Sequence, residues 1–179
     1  TLLDDLTIGT GTTLILDGTA APQLTIPDNM TLTINGGLEQ AGGTTTLQDG
    51  GTLLLNGGAS IFDGTFAVDS GADFENNGYL YLFGGATGSF ADGTYTEGAD
   101  GVFYFDDTEG ANLTGLDPSF VHYTCDANDS ATLTTALSKA ADGYQIVEIY
   151  LEGDAELSDI TIDASVDLCV RDGSTLTIA

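Results

Sequence analysis

The sequence predicts an all-β chain, a parallel β-solenoid or β-helix with one short helix near residues 130–141, and three observations predict it. First, an apolar residue, a polar turn rich in Asp and Gly, and an apolar strand six residues later recur together. They stand at Ile8/Leu14/Leu16, Ile26/Leu32/Ile34, Leu47/Leu53/Leu55, Val68/Phe74 and Val170/Leu176/Ile178. The early copies lie 18 and 21 residues apart, too long for one hairpin and right for one solenoid coil. Second, LTINGG, LLLNGG and LYLFGG alternate, so Leu32 and Ile34, Leu53 and Leu55, and Leu80 and Leu82 face inward. Thr33, Leu54 and Tyr81 then face outward or onto a neighbour. Third, Gly36-Gly37, Gly57-Gly58 and Gly84-Gly85 follow these strands as corners, where positive φ suits glycine.

Residues 1–117 carry the clearest repeats and almost no helix-favouring stretch. Further strands are expected at Ile61–Val68 and Val102–Phe105. Between the aromatic strands YLYLF and VFYF, the stretch GGATGSFADGTYTEGADG is read as a longer coil in preference to a projecting loop. Asp117-Pro118 marks a break, and residues 118–179 form a helix-containing segment that continues the solenoid. Asp129 or Ser130 can cap a helix in which Leu133, Ala136, Leu137 and Ala140 keep one apolar face, ended by Asp142-Gly143. Strands are expected next at Ile146–Leu151, Ile160–Ile162, Val166–Val170 and Leu176–Ile178.

Charge bounds the partners. The 28 acidic residues face only Lys139 and Arg171, a formal net charge of −26, which repels nucleic acid and anionic membrane surfaces. No run approaches the roughly 20 apolar residues of a membrane span. The acids are spread through turns, as expected of a folded chain with a charged skin relieved by salt or divalent cations. Asp and turn carbonyls are hard-oxygen ligands, and the EGADG and DDTEGAN corners make Glu97, Asp100, Asp106, Asp107 and Glu109 the candidate Ca²⁺ ligands. Acidic solvated corners are the plainer reading, and no cofactor is required.

Cys125 and Cys169 sit in strand-like stretches; one bridge is expected if those strands are neighbours, two buried free thiols otherwise. Asn29, Asn112 and Asn128 each open an Asn-x-Ser/Thr triplet beside a turn, which is consistent with an exported, glycosylated chain. The TxT pairs Thr31/Thr33 and Thr175/Thr177 fail at Thr52-Leu53-Leu54 and Asp73-Phe74-Glu75, so a flat threonine ladder is not expected. Tyr79, Tyr81, Phe83, Tyr95, Phe103, Tyr104 and Phe105 could place rings on a glycan-binding surface, but period-two alternation assigns most to packing.

The stretch ATLTTALSKAADGYQIVEIYLEGDAELSDITIDASVDLCVRDGSTLTI, a helix then short strands with polar corners, resembles the opening of right-handed parallel β-helix proteins of the pectin-lyase-like kind. That group is common among adhesin-like surface proteins, so the resemblance implies an extracellular, cell-surface location. Some of its members cleave acidic polysaccharides with clustered Asp, and Asp106-Asp107 in YFDDTEG is similar to their paired aspartates. The supporting His and basic motifs are missing; His122 is the sole histidine and lies elsewhere. Catalysis is therefore not expected.

In that group the helix precedes the coils, whereas here it lies two-thirds along. Joining VRDGSTLTIA to TLLDDLTIGTGTTLIL would place Val170 17 residues from the next Ile8, almost in register with the repeat. The expectation is a non-catalytic extracellular structural protein whose partner is itself, stacking head to tail into a filament, sheath or surface layer. Leu2, Leu3, Leu6 and Ile8 at one end, with Leu168, Val170, Leu176 and Ile178 at the other, form the expected contact. The alternative is an adhesin stalk or carbohydrate-binding segment that meets surface glycans.

Overall fold

Short apolar strands interrupted by Gly, Asn and Asp suit a chain that winds instead of pairing as long hairpins. The computed structural model, which describes residues 1–17, 20–158 and 161–179, is a parallel β-solenoid of about 8 turns. The first turn supplies β1 (Leu6–Ile8), β2 (Thr13–Leu16) and β3 (Gln23–Ile26). The second supplies β4 (Thr31–Ile34) and β5 (Gly37–Leu47), the third β6 (Thr52–Leu55) and β7 (Gly58–Val68). Then come β8 (Asp73–Asn76), β9 (Tyr79–Leu82) and β10 (Thr87–Phe90), followed by β11 (Tyr95–Glu97), β12 (Val102–Asp106) and β13 (Asn112–Thr114). A 3₁₀ turn at Pro118–Phe120 leads into β14 (Val121–Ala127) and α1 (Ser130–Ser138), which runs into a second 3₁₀ turn at Lys139–Asp142. The chain continues through β15 (Ile146–Leu151), β16 (Ala155–Leu157), β17 (Val166–Val170) and β18 (Leu176–Ile178).

Pairing gives three faces. Face one stacks β1, β4, β6, β8 and β11. Face two stacks β2, the first halves of β5 and β7, then β9, β12, β14, β15 and β17. Face three stacks β3, the second halves of β5 and β7, then β10 and β13. Gly42 and Gly43, with φ of 136° and 75°, carry β5 round from face two to face three. The strand pair β16 and β18 follows face two in the same winding order.

The inward alternation holds. Leu32, Leu53 and Phe74 lie in register at 21-residue intervals and are buried, as are Ile34, Leu55 and Asn76 beside them. Each buried Leu or Phe contributes about 1.5–3 kcal/mol, so every turn is stabilised by its neighbours more than by itself. Asn76 sits in that core because its amide donates to Tyr95 Oη at 3.0 Å and to the Val102 carbonyl at 3.1 Å.

The helix forms where expected. Asp129 Oδ1 accepts from the Thr132 amide at 2.8 Å, while Thr132 Oγ1 accepts from the Asp129 amide at 3.0 Å, closing a capping box. Leu133 and Ala136 are buried, and Gly143 ends the segment at φ 90°. Ser130 Oγ accepts from the Glu156 amide at 2.8 Å, tying α1 to β16.

Several expectations need correction. Ile8 pairs with Ile34 on face one, whereas Ile26 pairs with Leu47 on face three; the 18-residue spacing is therefore not a coil, and the first turn is 26 residues long. Gly36, Gly37, Gly57 and Gly58 do not have positive φ; they are required by close approach, a Cβ on Gly57 meeting the Gly36 carbonyl oxygen. Thr161 and Ile162 are not in a strand, and Ile160 lies outside the described residues. The stretch after Gly84 is, as expected, a longer coil and not a projecting loop: it carries β10 and β11, and the spacing on face two is 23 residues there against 21 before. The row Thr33, Leu54, Glu75 breaks a face-one ladder as expected, but face three carries an uncharged outward row of Thr25, Thr46, Ala67, Ser89 and Thr114.

Candidate functional site

Face two concentrates the exposed aromatic residues. With Leu80 and Leu82 inward, β9 turns Tyr79 and Tyr81 outward; Phe103 and Phe105 inward leave Tyr104 outward on β12. Register places Tyr81 beside Tyr104 and Tyr104 beside His122. The rings form a connected row: Phe62 to Phe83 at 5.2 Å, Phe83 to Tyr81 at 4.4 Å, Tyr81 to Tyr104 at 6.1 Å, and Tyr104 to His122 at 5.2 Å. Beside this row runs an open groove of about 470 Å³ lined by Tyr79, Tyr81, Tyr104, Asp106, Thr124, Glu148, Tyr150 and Arg171.

The groove is acidic and its polar groups are held. Tyr81 Oη donates to Asp106 Oδ2 at 3.0 Å, and the Thr108 amide donates to Asp106 Oδ1 at 3.0 Å. Burial, then the Asp106 carboxylate, push the Tyr81 phenol up to about 12, so it stays a donor across neutral pH. Arg171 closes the far end, its guanidinium carbon 4.1 Å from the Tyr150 ring centre and its Nε 3.2 Å from Glu152.

Of the seven aromatic candidates, Tyr95, Phe103 and Phe105 are buried, while Tyr79, Tyr81, Phe83 and Tyr104 lie on the outer side. The packing expectation therefore fails for four of them. Alternation gives their direction; their meeting depends on the 23-residue offset between Tyr81 and Tyr104, which no repeat in the sequence displays.

The proposed calcium ligands do not converge. Glu97 ends β11 on face one, Asp106 belongs to the face-two groove, and Asp107 accepts from Tyr123 Oη at 2.7 Å in a separate cleft beside α1. Among the described residues no three His, Cys, Asp or Glu side chains gather into a set able to hold a metal ion. The same split separates the paired aspartates. Burial pushes the Glu97 carboxyl up.

Of the two cysteine alternatives the structure has the free thiols, though Cys169 is not buried. β15 lies between β14 and β17, so Cys125 and Cys169 are two strand spacings apart, about 9.6 Å, beyond the roughly 7 Å a disulfide spans. Cys125 faces the core and Cys169 faces solvent; both are free thiols. Asn29, Asn112 and Asn128 are all exposed. Leu2, Leu3, Leu6 and Ile8 fall in the first turn and Leu168, Val170, Leu176 and Ile178 in the last, at opposite ends. Among the described residues no helix is long and apolar enough to cross a membrane. No family model, no curated protein and no solved structure matches the chain.

Proposed function

We propose that this chain is an exported, non-catalytic structural solenoid that stacks end to end with further copies into a filament, sheath or surface layer. The observation that supports it is the pair of matching edges. Among the described residues, β1, β2 and β3 pair as strands only toward the second turn, with one further bond from the Leu2 amide to the Thr25 carbonyl on the outer edge of β3, and β17 and β18 pair only toward the turn before. Apolar side chains stand uncovered on both: Leu3 and Leu6 at one edge, Val170 and Ile178 at the other. The winding order also agrees, since β18 follows face two and β1 opens face one, so a second copy carries the same order onward. A contact of this kind that does not close on itself propagates.

Two features favour the structural over the catalytic reading. Asp106 and Asp107 open on different clefts, which separates the two roles a paired carboxylate mechanism needs. The exposed Asn-x-Ser/Thr triplets and the likeness of residues 131–178 to pectin-lyase-like surface proteins agree with an extracellular location. The test is electron microscopy with light scattering across protein concentration. Ordered polymers should appear, and Leu6→Lys or Ile178→Lys should abolish them with the monomer still folded; monomers at every concentration would overturn the reading. The second reading, a surface stalk that presents a ligand-binding face, is favoured by the open groove on face two and fits a monomer.

A further inference from the structure

We infer that the tyrosine–carboxylate half of the face-two groove, around Tyr81, Tyr104 and Asp106, binds arginine side chains of a basic, extended segment of a partner protein. This goes beyond the structural reading and does not depend on it. The chain has one lysine and one arginine, and both make the same contact with the protein. Arg171 lies over Tyr150 with Glu152 at 3.2 Å, and Lys139 Nζ lies 5.4 Å from the Tyr123 ring centre with Asp142 at 3.7 Å. A tyrosine face beside a carboxylate is thus the environment in which this molecule keeps each of its cations.

The same pairing of tyrosine and carboxylate recurs at the other end of the groove, where His122 packs edge to face with Tyr104 at 5.2 Å. Tyr81 and Tyr104 meet edge to face, and Asp106 is fixed beside them by its two hydrogen bonds. The chain's lysine and its arginine are both engaged elsewhere, so a guanidinium at this site comes from another chain. A planar guanidinium suits it better than an ammonium, because it stacks on a ring while its fork reaches a carboxylate. Glu148 on β15 lies between this site and Arg171. The groove crosses five strands from β9 to β17, about 19 Å at the ordinary strand spacing, and is open along its length. An extended segment fits such a shape, and a net charge of −26 draws a basic one and repels an acidic one.

The probe is a capped triarginine peptide carrying a fluorophore, with the neutral tricitrulline peptide as its isostere, titrated at physiological ionic strength. The arginine peptide should bind and the citrulline peptide should not. Tyr104→Ala and Asp106→Asn should each weaken binding about tenfold, whereas Asp49→Asn, which removes an equal charge from a distant corner, should change it less than about twofold. Circular dichroism checks that each variant is folded, and Asp106→Asn keeps the test alive if Tyr104→Ala is not. Equal losses in Asp49→Asn and Asp106→Asn would reduce the attraction to diffuse charge and overturn the site. Equal binding of the citrulline peptide, or binding of a neutral oligosaccharide where the arginine peptide fails, would overturn it as well.

Discussion

The side-chain amide of Asn56 donates to Oδ1 of Asn35 across 2.9 Å, one turn along the solenoid, and Asn77 repeats the bond onto Asn56 at 3.1 Å. Asn56→Ala removes both bonds at an exposed corner and should cost about 1 kcal/mol, read from urea unfolding. Gly57→Ala, its neighbour, should cost more, about 3 kcal/mol, because the new Cβ meets the Gly36 carbonyl and backbone must move. A smaller loss for Gly57→Ala than for Asn56→Ala would show that this corner is not closely packed.

The two thiols should behave differently. Cys169 is exposed, and a thiol reagent should modify it in the native protein. Cys125 is buried and burial pushes its thiol up to about 11, so it should react only after denaturation. Mass spectrometry of the folded, oxidised protein should find no bond between them within one chain.

Alkali should unfold the chain before it ionises every tyrosine. Tyr81 is raised to about 12, chiefly by burial, and burial also raises Tyr95 and Tyr123. A group whose folded value lies above its unfolded one, about 10 for tyrosine, supplies stability that is complete below the unfolded value and fades as pH rises through the folded one. Stability should therefore fall from about pH 10 upward, with phenolate absorbance and loss of circular dichroism rising together. Tyr81→Phe should soften the fall; an unchanged profile would remove Tyr81 from its cause.

Salt should stabilise the molecule generically. Sodium chloride should raise the melting temperature by screening the repulsion behind a net charge of −26. Calcium at matched ionic strength should add nothing further, because the acidic corners do not converge on one ion. A saturable rise with calcium alone would show a site that the described residues do not form.

The inner wall of the solenoid was legible in the sequence because period-two alternation marks it in every strand: Leu32, Leu53, Leu80 and Leu82 all point where the pattern places them. The winding was less legible, since an apolar residue followed by a strand reads alike between any two successive faces. Ile26/Leu32 crosses from face three to face one, but Ile8/Leu14 crosses from face one to face two and Val170/Leu176 leaves face two. The short strand Ala155–Leu157 escaped notice because a Glu stands at its centre amid acidic corners. The groove needed register as well as direction. Tyr81 and Tyr104 meet only because the fifth turn is two residues longer on face two than its predecessor, an irregularity invisible to a search for repeats.

Gly36, Gly57 and Gly78 stand one above another, each carbonyl filling the space that a side chain on the next would need. A single methyl group at that corner disturbs two turns, whereas removal of all 21 residues between equivalent points keeps the backbone register. The length of this molecule is thus graduated: it changes in whole turns of about 4.8 Å, like the divisions of a ruler, and resists any smaller adjustment.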